Sequence, residues 1–317
     1  MKQTIKLLKH AKHIALFSHT SPDPDTVGST LALMKMLEKM GKTVDVYCAE
    51  TNDKFAYLEC YDRYNTDASV SLEAYDLLVA VDVPDQTMLC DFEQAFLAHK
   101  NTLRIDHHAK GNNYAIHNVC ENQSACAVLI FEIAKKLKVK IDSEIATLLY
   151  FAICGDTGIF KNNNTDSLTF RICAELLDCG ADIKKVYNEF FLKTTLEYIK
   201  LSSHILLNAH TNDELGYVIM SVSKEDYDRY NPEQNENISN LPNSYLNCGY
   251  KIAVVAKEKE DGVHCSFRSK FEYDCSAVAS TFGGGGHKNA SGCLIDLPLE
   301  DAKIQIAKAI ETYLKSI

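Results

Sequence analysis

The side chains best suited to chemistry near the start of this chain are a histidine and two aspartates in one short turn. His19, Asp23 and Asp25 follow the apolar residues 14–17, which predict a buried strand. An imidazole and two carboxylates held close together repel one another and lose hydration, which is unfavourable unless a cation neutralises them. The turn therefore predicts a divalent-metal site; the alternative is that its aspartates only cap a helix predicted over residues 31–40.

Two further predicted strands end in the same kinds of side chain. Apolar runs over residues 77–82 and 102–108 predict buried strands. The first run ends in Asp82, and the second ends in Asp106, His107 and His108. Because the carboxyl ends of parallel strands share one edge of a sheet, these groups are expected to converge with the opening turn.

Asp156, at the end of a helical pattern over residues 143–155, adds another carboxylate to this set. The set contains more carboxylates and imidazoles than one cation can bind, and their number suits two cations. Two cations about 3.5–4 Å apart, joined by a bridging carboxylate, stabilise the attacking and leaving oxygens of phosphoryl displacement. An oxygen-rich ligand set with imidazole and no thiolate favours Mn²⁺, with Mg²⁺ as the alternative. The pattern predicts two divalent metal ions and metal-assisted phosphoester hydrolysis.

The elements that must position these groups alternate between strand and helix through residues 1–192. This alternation predicts a parallel sheet with helices on both faces. Residues 193–211 predict a connecting helix, and residues 212–317 a smaller domain with a hairpin turned by Asp261 and Gly262. The predicted fold class is α/β, with an N-terminal parallel-sheet domain, a connecting helix and a smaller α+β C-terminal domain.

Composition narrows the function classes. The chain has 317 residues, 46% of them hydrophobic, with a net charge of −10 and twelve cysteines. No apolar run approaches the ~20 residues of a membrane span, and no signal peptide is evident, so we expect a cytoplasmic protein without a membrane partner. The acidic balance and the lack of a basic run exclude long nucleic acid as a partner. The scattered cysteines favour reduced thiols over disulfides or a zinc site.

A second candidate site lies in the C-terminal part. Four glycines at residues 283–286 precede His287, and we call residues 283–287 the glycine-rich motif. Glycines let the backbone approach a phosphate closely and direct N–H groups at it. Arg268, on the predicted hairpin, supplies a planar fork for the same kind of anion. The alternative is a flexible turn and a surface cation.

Taken in chain order, these motifs resemble the DHH phosphoesterase superfamily with its DHH-associated C-terminal domain. The resemblance covers nearly the whole chain. It rests on His19-x-x-x-Asp23-x-Asp25 with Gly28 and Ser29, then Asp82, then Asp106-His107-His108, then Asp156-Thr157-Gly158, and finally Phe267-Arg268-Ser269 with the glycine-rich motif and Ala290-Ser291-Gly292. Compact two-domain members of this family are nanoRNases and 3'-phosphoadenosine 5'-phosphate (pAp) phosphatases.

The resemblance also implies roles for individual residues. His19 and Asp23 would bind one metal ion, Asp25, His107 and Asp156 would bind the other, and Asp82 would bridge them. Asp106 and His108 would orient His107 or contact the phosphate, which makes Asp82, Asp106 and His108 the expected catalytic set. The expected substrate-binding residues are Arg268, Gly284, Gly285, Gly286 and His287.

The implied activity is hydrolysis of very short oligonucleotides, linear dinucleotides such as pApA or pGpG, or pAp. Alternatives are a cyclic-dinucleotide phosphodiesterase, an inorganic pyrophosphatase or polyphosphatase, and a nucleotide-binding protein without turnover. The pyrophosphatase relatives lack the glycine-rich motif, which argues against that alternative. A second copy of this chain, in a homodimer, is the predicted protein partner.

Two departures from the family pattern leave the choice of substrate open. Many relatives carry an arginine a few residues after the Asp82 position, where this chain has Asp85 and Met88. The Asn-rich residues 231–248 match no segment of the family and lie in the part of the chain expected to hold the substrate.

Overall fold

The structure is a computed structural model that describes residues 1–108, 111–191, 194–232 and 238–317. The chain forms two compact units, Met1–Leu192 and Lys193–Ile317. The predicted boundary between residues 192 and 193 lies outside the described residues, as do residues 233–237 of the unmatched 231–248 segment.

The first unit contains a six-stranded parallel sheet in the order β3-β2-β1-β4-β5-β6. Its strands are β1 (His13–Phe17), β2 (Thr43–Tyr47), β3 (Tyr64–Asn65), β4 (Leu77–Val81), β5 (Thr102–Asp106) and β6 (His117–Cys120). Its helices are α1 (Lys2–His10), α2 (Pro24–Lys39), α3 (Glu93–Ala98), α4 (Cys126–Leu137), α5 (Ser143–Asp156), α6 (Ser167–Asp178) and α7 (Ile183–Phe191). The strand order reverses between β1 and β4, and ligands bind at such reversals in open α/β sheets.

Both faces of this sheet are covered, as the alternating pattern predicts. Along β1, Ile14 and Leu16 join the hydrophobic cluster that contains α2, α4 and α5. Ala15 and Phe17 join the opposite cluster, which contains Phe96 of α3. Successive side chains of a strand point to opposite faces, so one short apolar strand contributes to both cores.

The sequence also predicts a strand over residues 43–48, which corresponds to β2, but two strands of the sheet have no predicted counterpart. The edge strands β3 and β6 are short and largely polar, and they form only by pairing with β2 and β5. Helix α2 also begins earlier than the predicted helix over residues 31–40. Asp23 caps its N-terminus and Pro24 occupies its first turn, where proline is tolerated.

The second unit contains a mixed six-stranded sheet in the order β11-β12-β10-β9-β8-β7. Its strands are β7 (His210–Asn212), β8 (Tyr217–Val222), β9 (Ile252–Lys259), β10 (Gly262–Ser269), β11 (Gly285–His287) and β12 (Ala290–Ile295). Its helices are α8 (Leu196–Leu207), α9 (Lys224–Tyr230), α10 (Pro242–Asn247), α11 (Cys275–Ser280) and α12 (Leu299–Lys315). Only β8 and β9 pair in parallel; the other neighbours are antiparallel.

Helices cover both faces of the second sheet as well. Leu201 and Ile205 of α8, the helix predicted as the connector, pack against Val218 and Met220 of β8. Helices α11 and α12 pack on the opposite face. The predicted α/β fold class with its α+β C-terminal domain is confirmed. None of the helices in the described ranges is long and apolar enough to cross a membrane.

Candidate metal centre

The eight acidic and histidine side chains singled out in the first unit lie together at the carboxyl ends of β1, β4 and β5. We call this group the strand-end cluster: His19, Asp23, Asp25, Asp82, Asp106, His107, His108 and Asp156. His19 follows β1, Asp82 follows β4, and Asp106 ends β5, so the cluster lies at the reversal of strand order. Most of these side chains are buried, and only Asp23, His108 and Asp156 are partly exposed.

Two helices supply the remaining members of the cluster. Asp25 lies in the first turn of α2 and Asp156 in the last turn of α5. These helices can approach closely because glycines stand where they meet. A Cβ atom on Gly28 would lie 2.6 Å from the Leu148 carbonyl oxygen, and one on Gly155 would lie 2.5 Å from Pro24 Cβ.

Ligand atoms within the cluster form groups of three. His19, Asp23 and Asp82 form one group and Asp25, His107 and Asp156 form another, each with its atoms within 4.8 Å of one another. Asp82 also groups with His107 and His108, so it connects the first two groups. The structure therefore brings together, in two groups, the residues to which the family resemblance assigns the two metal ions; the assignment itself stays a prediction.

Hydrogen bonds fix the tautomers of the two buried histidines. Nδ1 of His19 lies 2.6 Å from the Thr20 carbonyl oxygen, and Nδ1 of His107 lies 2.9 Å from the Gln123 carbonyl oxygen. A carbonyl oxygen can only accept, so each Nδ1 carries the proton and each Nε2 offers a lone pair. An imidazole with its other nitrogen bonded in this way is oriented for metal coordination.

The free Nε2 of His107 faces three carboxylates. It lies 3.6 Å from Asp82 Oδ1, 3.6 Å from Asp156 Oδ2 and 3.7 Å from Asp25 Oδ2. These separations exceed hydrogen-bond distances, whereas ligands at roughly 2.1 Å from one ion lie about 3–3.6 Å apart. His107 Nε2 and Asp82 Oδ1 are buried and lack a hydrogen-bond partner among the described residues. Such atoms fit ligands of a metal ion.

Asp25 is held by the start of another helix. Its Oδ2 accepts from Cys126 N at 2.6 Å and its Oδ1 from Ala127 N at 3.1 Å, at the N-terminus of α4. Ser29 Oγ also donates to Oδ1. Free amides at a helix N-terminus stabilise a negative charge, so α4 holds this carboxylate at a defined position.

Asp23 both caps a helix and belongs to a group of candidate metal ligands, the two roles that the sequence suggests for it. Its Oδ1 accepts from Thr26 N at 3.0 Å and caps α2, while the side chain also belongs to the group with His19 and Asp82. Capping by one oxygen leaves the other free, so capping and metal binding do not exclude each other.

Asp156 lies at the opposite kind of helix end. The C-terminus of α5 has a partial negative charge that disfavours a carboxylate and favours a cation. Asn164 Nδ2 donates to Asp156 Oδ2 at 3.2 Å, which offsets part of this repulsion. A bound cation would stabilise this arrangement.

The raised pKa values of three carboxyl groups in the cluster also favour cation binding. Burial, followed by repulsion from neighbouring carboxylates, raises the pKa of Asp25 and of Asp82 well above the usual value. Burial likewise raises the pKa of Asp156. Carboxylates with such pKa values are unfavourable in their charged form, and divalent cations would remove that penalty.

Asp106 accepts a hydrogen bond from His108, while the backbone carbonyl of Gln123 orients His107. His108 Nδ1 lies 2.8 Å from Asp106 Oδ1. Burial alone would raise the pKa of Asp106, but the hydrogen bond from His108 and the charge of Arg104 lower it overall. The same hydrogen bond raises the pKa of His108.

Arg104 is a member of the site that the sequence reasoning missed. This fully buried guanidinium pairs with Asp106, donates from Nε to the Val83 carbonyl at 2.9 Å, and lies over the Tyr114 ring. Arg104 therefore connects Val83, which follows Asp82, to Asp106, which accepts from His108. The available signal was a charged residue inside the otherwise apolar run of β5.

Backbone strain also occurs at the cluster. Asp82 has a φ of 59° and Ser21 a φ of 52°, in the left-handed region that is unfavourable for non-glycine residues. Three donors hold the loop at Ser21: its N and Oγ, each at 2.9 Å, and Thr20 Oγ1 at 3.2 Å, all donate to Glu50 Oε1. Glu50 therefore positions the loop that carries His19 and Asp23.

The residues expected to bind substrate lie on the second sheet. Ala290 of β12 is directly opposite both Arg268 of β10 and His287 of β11. Directly opposite residues point to the same face, so Arg268 and His287 share one face with a small side chain between them. This face therefore presents a guanidinium and an imidazole on either side of Ala290. The glycine-rich motif is thus partly a strand and not only a turn.

The backbone of the glycine-rich motif is tightly packed on β12. A Cβ atom on Gly284 would lie 2.2 Å from the Gly292 carbonyl oxygen, and Gly286 has a φ of 138°. Gly285, by contrast, would accept a Cβ atom without contacts. Glycine is therefore required at residues 284 and 286 for different reasons, and residue 285 tolerates a side chain.

The two departures from the family pattern have local explanations. Asp85 caps the turn that follows β4 and accepts from Asn112, while the Met88 side chain packs against a hydrophobic cluster. In the unmatched segment, Asn240 Oδ1 accepts from Arg268 Nη2 at 3.3 Å. The described end of that segment thus contacts the proposed anion-binding arginine.

Comparison with known proteins matches both units. Residues 13–153 match the model of the DHH family N-terminal domain, and residues 218–316 match that of the DHHA1 domain. The chain is 28% identical to the bifunctional oligoribonuclease and PAP phosphatase NrnA of Mycoplasma genitalium, over 99% of this chain and 97% of that protein. It is 27% identical to the Bacillus subtilis protein of the same name, over 89% of each.

Among solved structures, an exopolyphosphatase-related protein from Bacteroides fragilis shares the fold. The TM-score is 0.89 at 22% identity, covering 99% of this chain and 96% of that one. The chain therefore belongs to the DHH family of metal-dependent phosphoesterases, with a DHH N-terminal domain followed by a DHHA1 domain.

Proposed function

We propose that this protein is a two-metal phosphoesterase that hydrolyses very short oligonucleotides, such as linear dinucleotides, and pAp. The observation that carries the proposal is the pair of buried, unpartnered ligand atoms, His107 Nε2 and Asp82 Oδ1, 3.6 Å apart among further carboxylates. The two NrnA relatives, each named as an oligoribonuclease and PAP phosphatase, support the substrate class.

In this proposal the strand-end cluster holds the metal ions. His19 and Asp23 would hold one ion, Asp25, His107 and Asp156 would hold the other, and Asp82 would be shared between them. We expect Mn²⁺ to be preferred, with Mg²⁺ as the alternative. When bound, such a pair polarises the phosphoryl group and makes water nucleophilic at neutral pH.

The chain's own groups then orient and stabilise the reacting phosphate. Asp106 accepts from His108 Nδ1, so His108 is fixed with its Nε2 directed away from Asp106. The ring is 42% exposed and its Nδ1 lies 3.6 Å from Asp82 Oδ1, which places it beside the proposed bridging ligand. The hydrogen bond to Asp106 raises the pKa of His108, and in its protonated form His108 is positioned to donate from Nε2 to a phosphoryl oxygen.

The second unit supplies substrate binding. Arg268 provides a charged donor and His287 an imidazole N–H, and the backbone at Gly284, Gly285 and Gly286 allows a phosphate to approach closely. The net charge of −10 disfavours a long polyanion, which is consistent with short substrates. The cytoplasmic location and the homodimer stay predictions.

A substrate panel tests the proposal. The purified protein is assayed with pAp, pApA, pGpG, a 5-mer, a cyclic dinucleotide and pyrophosphate, each with Mn²⁺ and with Mg²⁺. We expect turnover of pAp or the linear dinucleotides, falling with length, and none by the Asp82→Asn variant. Hydrolysis of pyrophosphate or the cyclic dinucleotide alone, or nucleotide binding without turnover, would contradict it.

A further inference from the structure

Two cysteines lie directly opposite one another in the second sheet. The antiparallel register of β10 and β12 pairs Cys265 with Cys293. Directly opposite residues of antiparallel strands have Cα atoms about 4.5–5.5 Å apart and side chains on one face. A disulfide requires Cα atoms about 4.4–6.8 Å apart, so the strand register already meets this condition. All twelve cysteines of the chain are free in the structure.

The two thiols differ in acidity and access. Their mutual hydrogen bond raises the pKa of Cys265 and lowers the pKa of Cys293. Cys265 is buried in the hydrophobic cluster beneath α11 and α12, whereas Cys293 is partly exposed. The thiolate is the reactive form of cysteine, so Cys293 is the better nucleophile and Cys265 is its resolving partner.

Cys293 also lies against the glycine-rich motif. A Cβ atom on Gly284 would lie 2.4 Å from Cys293 Cβ, so the backbone at Gly284 is in direct contact with this cysteine. Gly292, the neighbour of Cys293, is paired with Gly285 on one side and Ser266 on the other. A shift of Cys293 therefore moves the backbone of the motif, because close packing leaves no space to absorb it.

We propose that Cys265 and Cys293 form a reversible disulfide on exposure to hydrogen peroxide, and that this disulfide weakens phosphate binding at the glycine-rich motif. The effect on phosphate binding rests on the function proposed above.

The disulfide forms in two steps. The Cys293 thiolate attacks one peroxide oxygen, which breaks the O–O bond and leaves a sulfenic acid and, after protonation, water. The Cys265 thiol then attacks the sulfenic sulfur, forms the S–S bond and releases a second water. Two thiols are oxidised and one peroxide is reduced.

The first experiment detects the disulfide itself. The full chain, with the exposed Cys90, Cys120 and Cys248 replaced by serine, is treated with peroxide and alkylated, and its peptides are mapped by mass spectrometry. We expect one cross-linked peptide pair that contains Cys265 and Cys293 and that disappears with dithiothreitol. The Cys265→Ser and Cys293→Ser variants should lack it. Alkylation of both cysteines after peroxide treatment would overturn the proposal.

The second experiment measures how the disulfide changes substrate binding and hydrolysis. Binding of pApA is followed by calorimetry in metal-free buffer, and its hydrolysis with Mn²⁺, before and after oxidation. We expect the Kd and the KM to rise about tenfold, as for a weakened hydrogen bond to a charged group, and to return with dithiothreitol. The Cys293→Ser variant, given the same peroxide treatment, should not change.

The outcomes separate the two proposals. A reduced protein that binds pApA without hydrolysing it contradicts the proposed function, while the change in Kd on oxidation still supports the coupling. A disulfide that forms without changing the Kd or the KM overturns the coupling. A rise in KM that persists in Cys293→Ser assigns the effect to another residue and also overturns it.

Discussion

The strand-end cluster and the glycine-rich motif differ in how each prepares to bind a charged partner. In the cluster, buried carboxylates and imidazoles are held by second contacts, such as the amides of α4 on Asp25 and the Gln123 carbonyl on His107. In the motif, exposed backbone at residues 285–287 faces solvent, with Arg268 and His287 alongside.

This difference suits the strand-end cluster to catalysis and the glycine-rich motif to substrate recognition. Charged ligands in a buried site gain strength from the low dielectric, but their mutual repulsion must be overcome by the fold until cations bind. A backbone site needs only the right conformation and space. The cluster should therefore control kcat and metal-linked stability, and the motif should control KM.

The largest expected effect is at the bridging position. Asp82→Asn keeps the shape and removes the charge, so we expect kcat to fall by at least about 10³-fold. Because burial and neighbouring carboxylates raise the pKa of Asp82, its charged form destabilises the metal-free fold at neutral pH. The variant should thus have a higher Tm without metal and a smaller gain in Tm on adding Mn²⁺. An active variant would contradict the two-metal site.

Arg104→Met tests the support behind the cluster. Removing the guanidinium leaves the Asp106 carboxylate buried without its cation, which should lower the free energy of unfolding by about 3–5 kcal/mol. Looser positioning of His108 should lower kcat about 10–100-fold. The Arg104→Met/Asp106→Asn double variant should recover part of the stability but not the activity. Unfolding in urea gives the stability, and a single variant as stable as the parent would refute the role.

Arg268→Ala tests substrate recognition beside the glycine-rich motif. Losing a charged donor to the substrate phosphate should raise KM about thirtyfold with kcat little changed. Arg268→Lys should recover only part of the affinity, because an ammonium lacks the planar fork. A fall in kcat with KM unchanged would move Arg268 from recognition to catalysis.

The smallest effect is expected within the glycine-rich motif, where the chain offers a matched pair. Gly284→Ala places a Cβ atom 2.2 Å from the Gly292 carbonyl and should raise KM about tenfold by displacing the backbone. Gly285→Ala meets no atom and should leave KM within about twofold. Steady-state kinetics on pApA measures both. Equal effects of the two variants would show that packing on β12 does not govern the motif.

The strands that carry the cluster could be predicted because their signals are local. An apolar run followed by Asp82, or by Asp106, His107 and His108, is visible in a few consecutive residues. Edge strands β3 and β6 could not be predicted, because short polar segments become strands only by pairing with a neighbour. The early start of α2 depended on Asp23 acting as a cap, which the metal interpretation had set aside.

The amino-acid sequence was enough to predict which acidic and histidine side chains follow the strands, their order along the chain and the family they indicate. Only the tertiary structure decided which atoms face one another, because each contact joins residues far apart in the chain. Asp25 is fixed by the Cys126 amide, and Arg104 links the end of β4 to Asp106. The opposition of Cys265 and Cys293 likewise follows from strand register, which local patterns leave undefined.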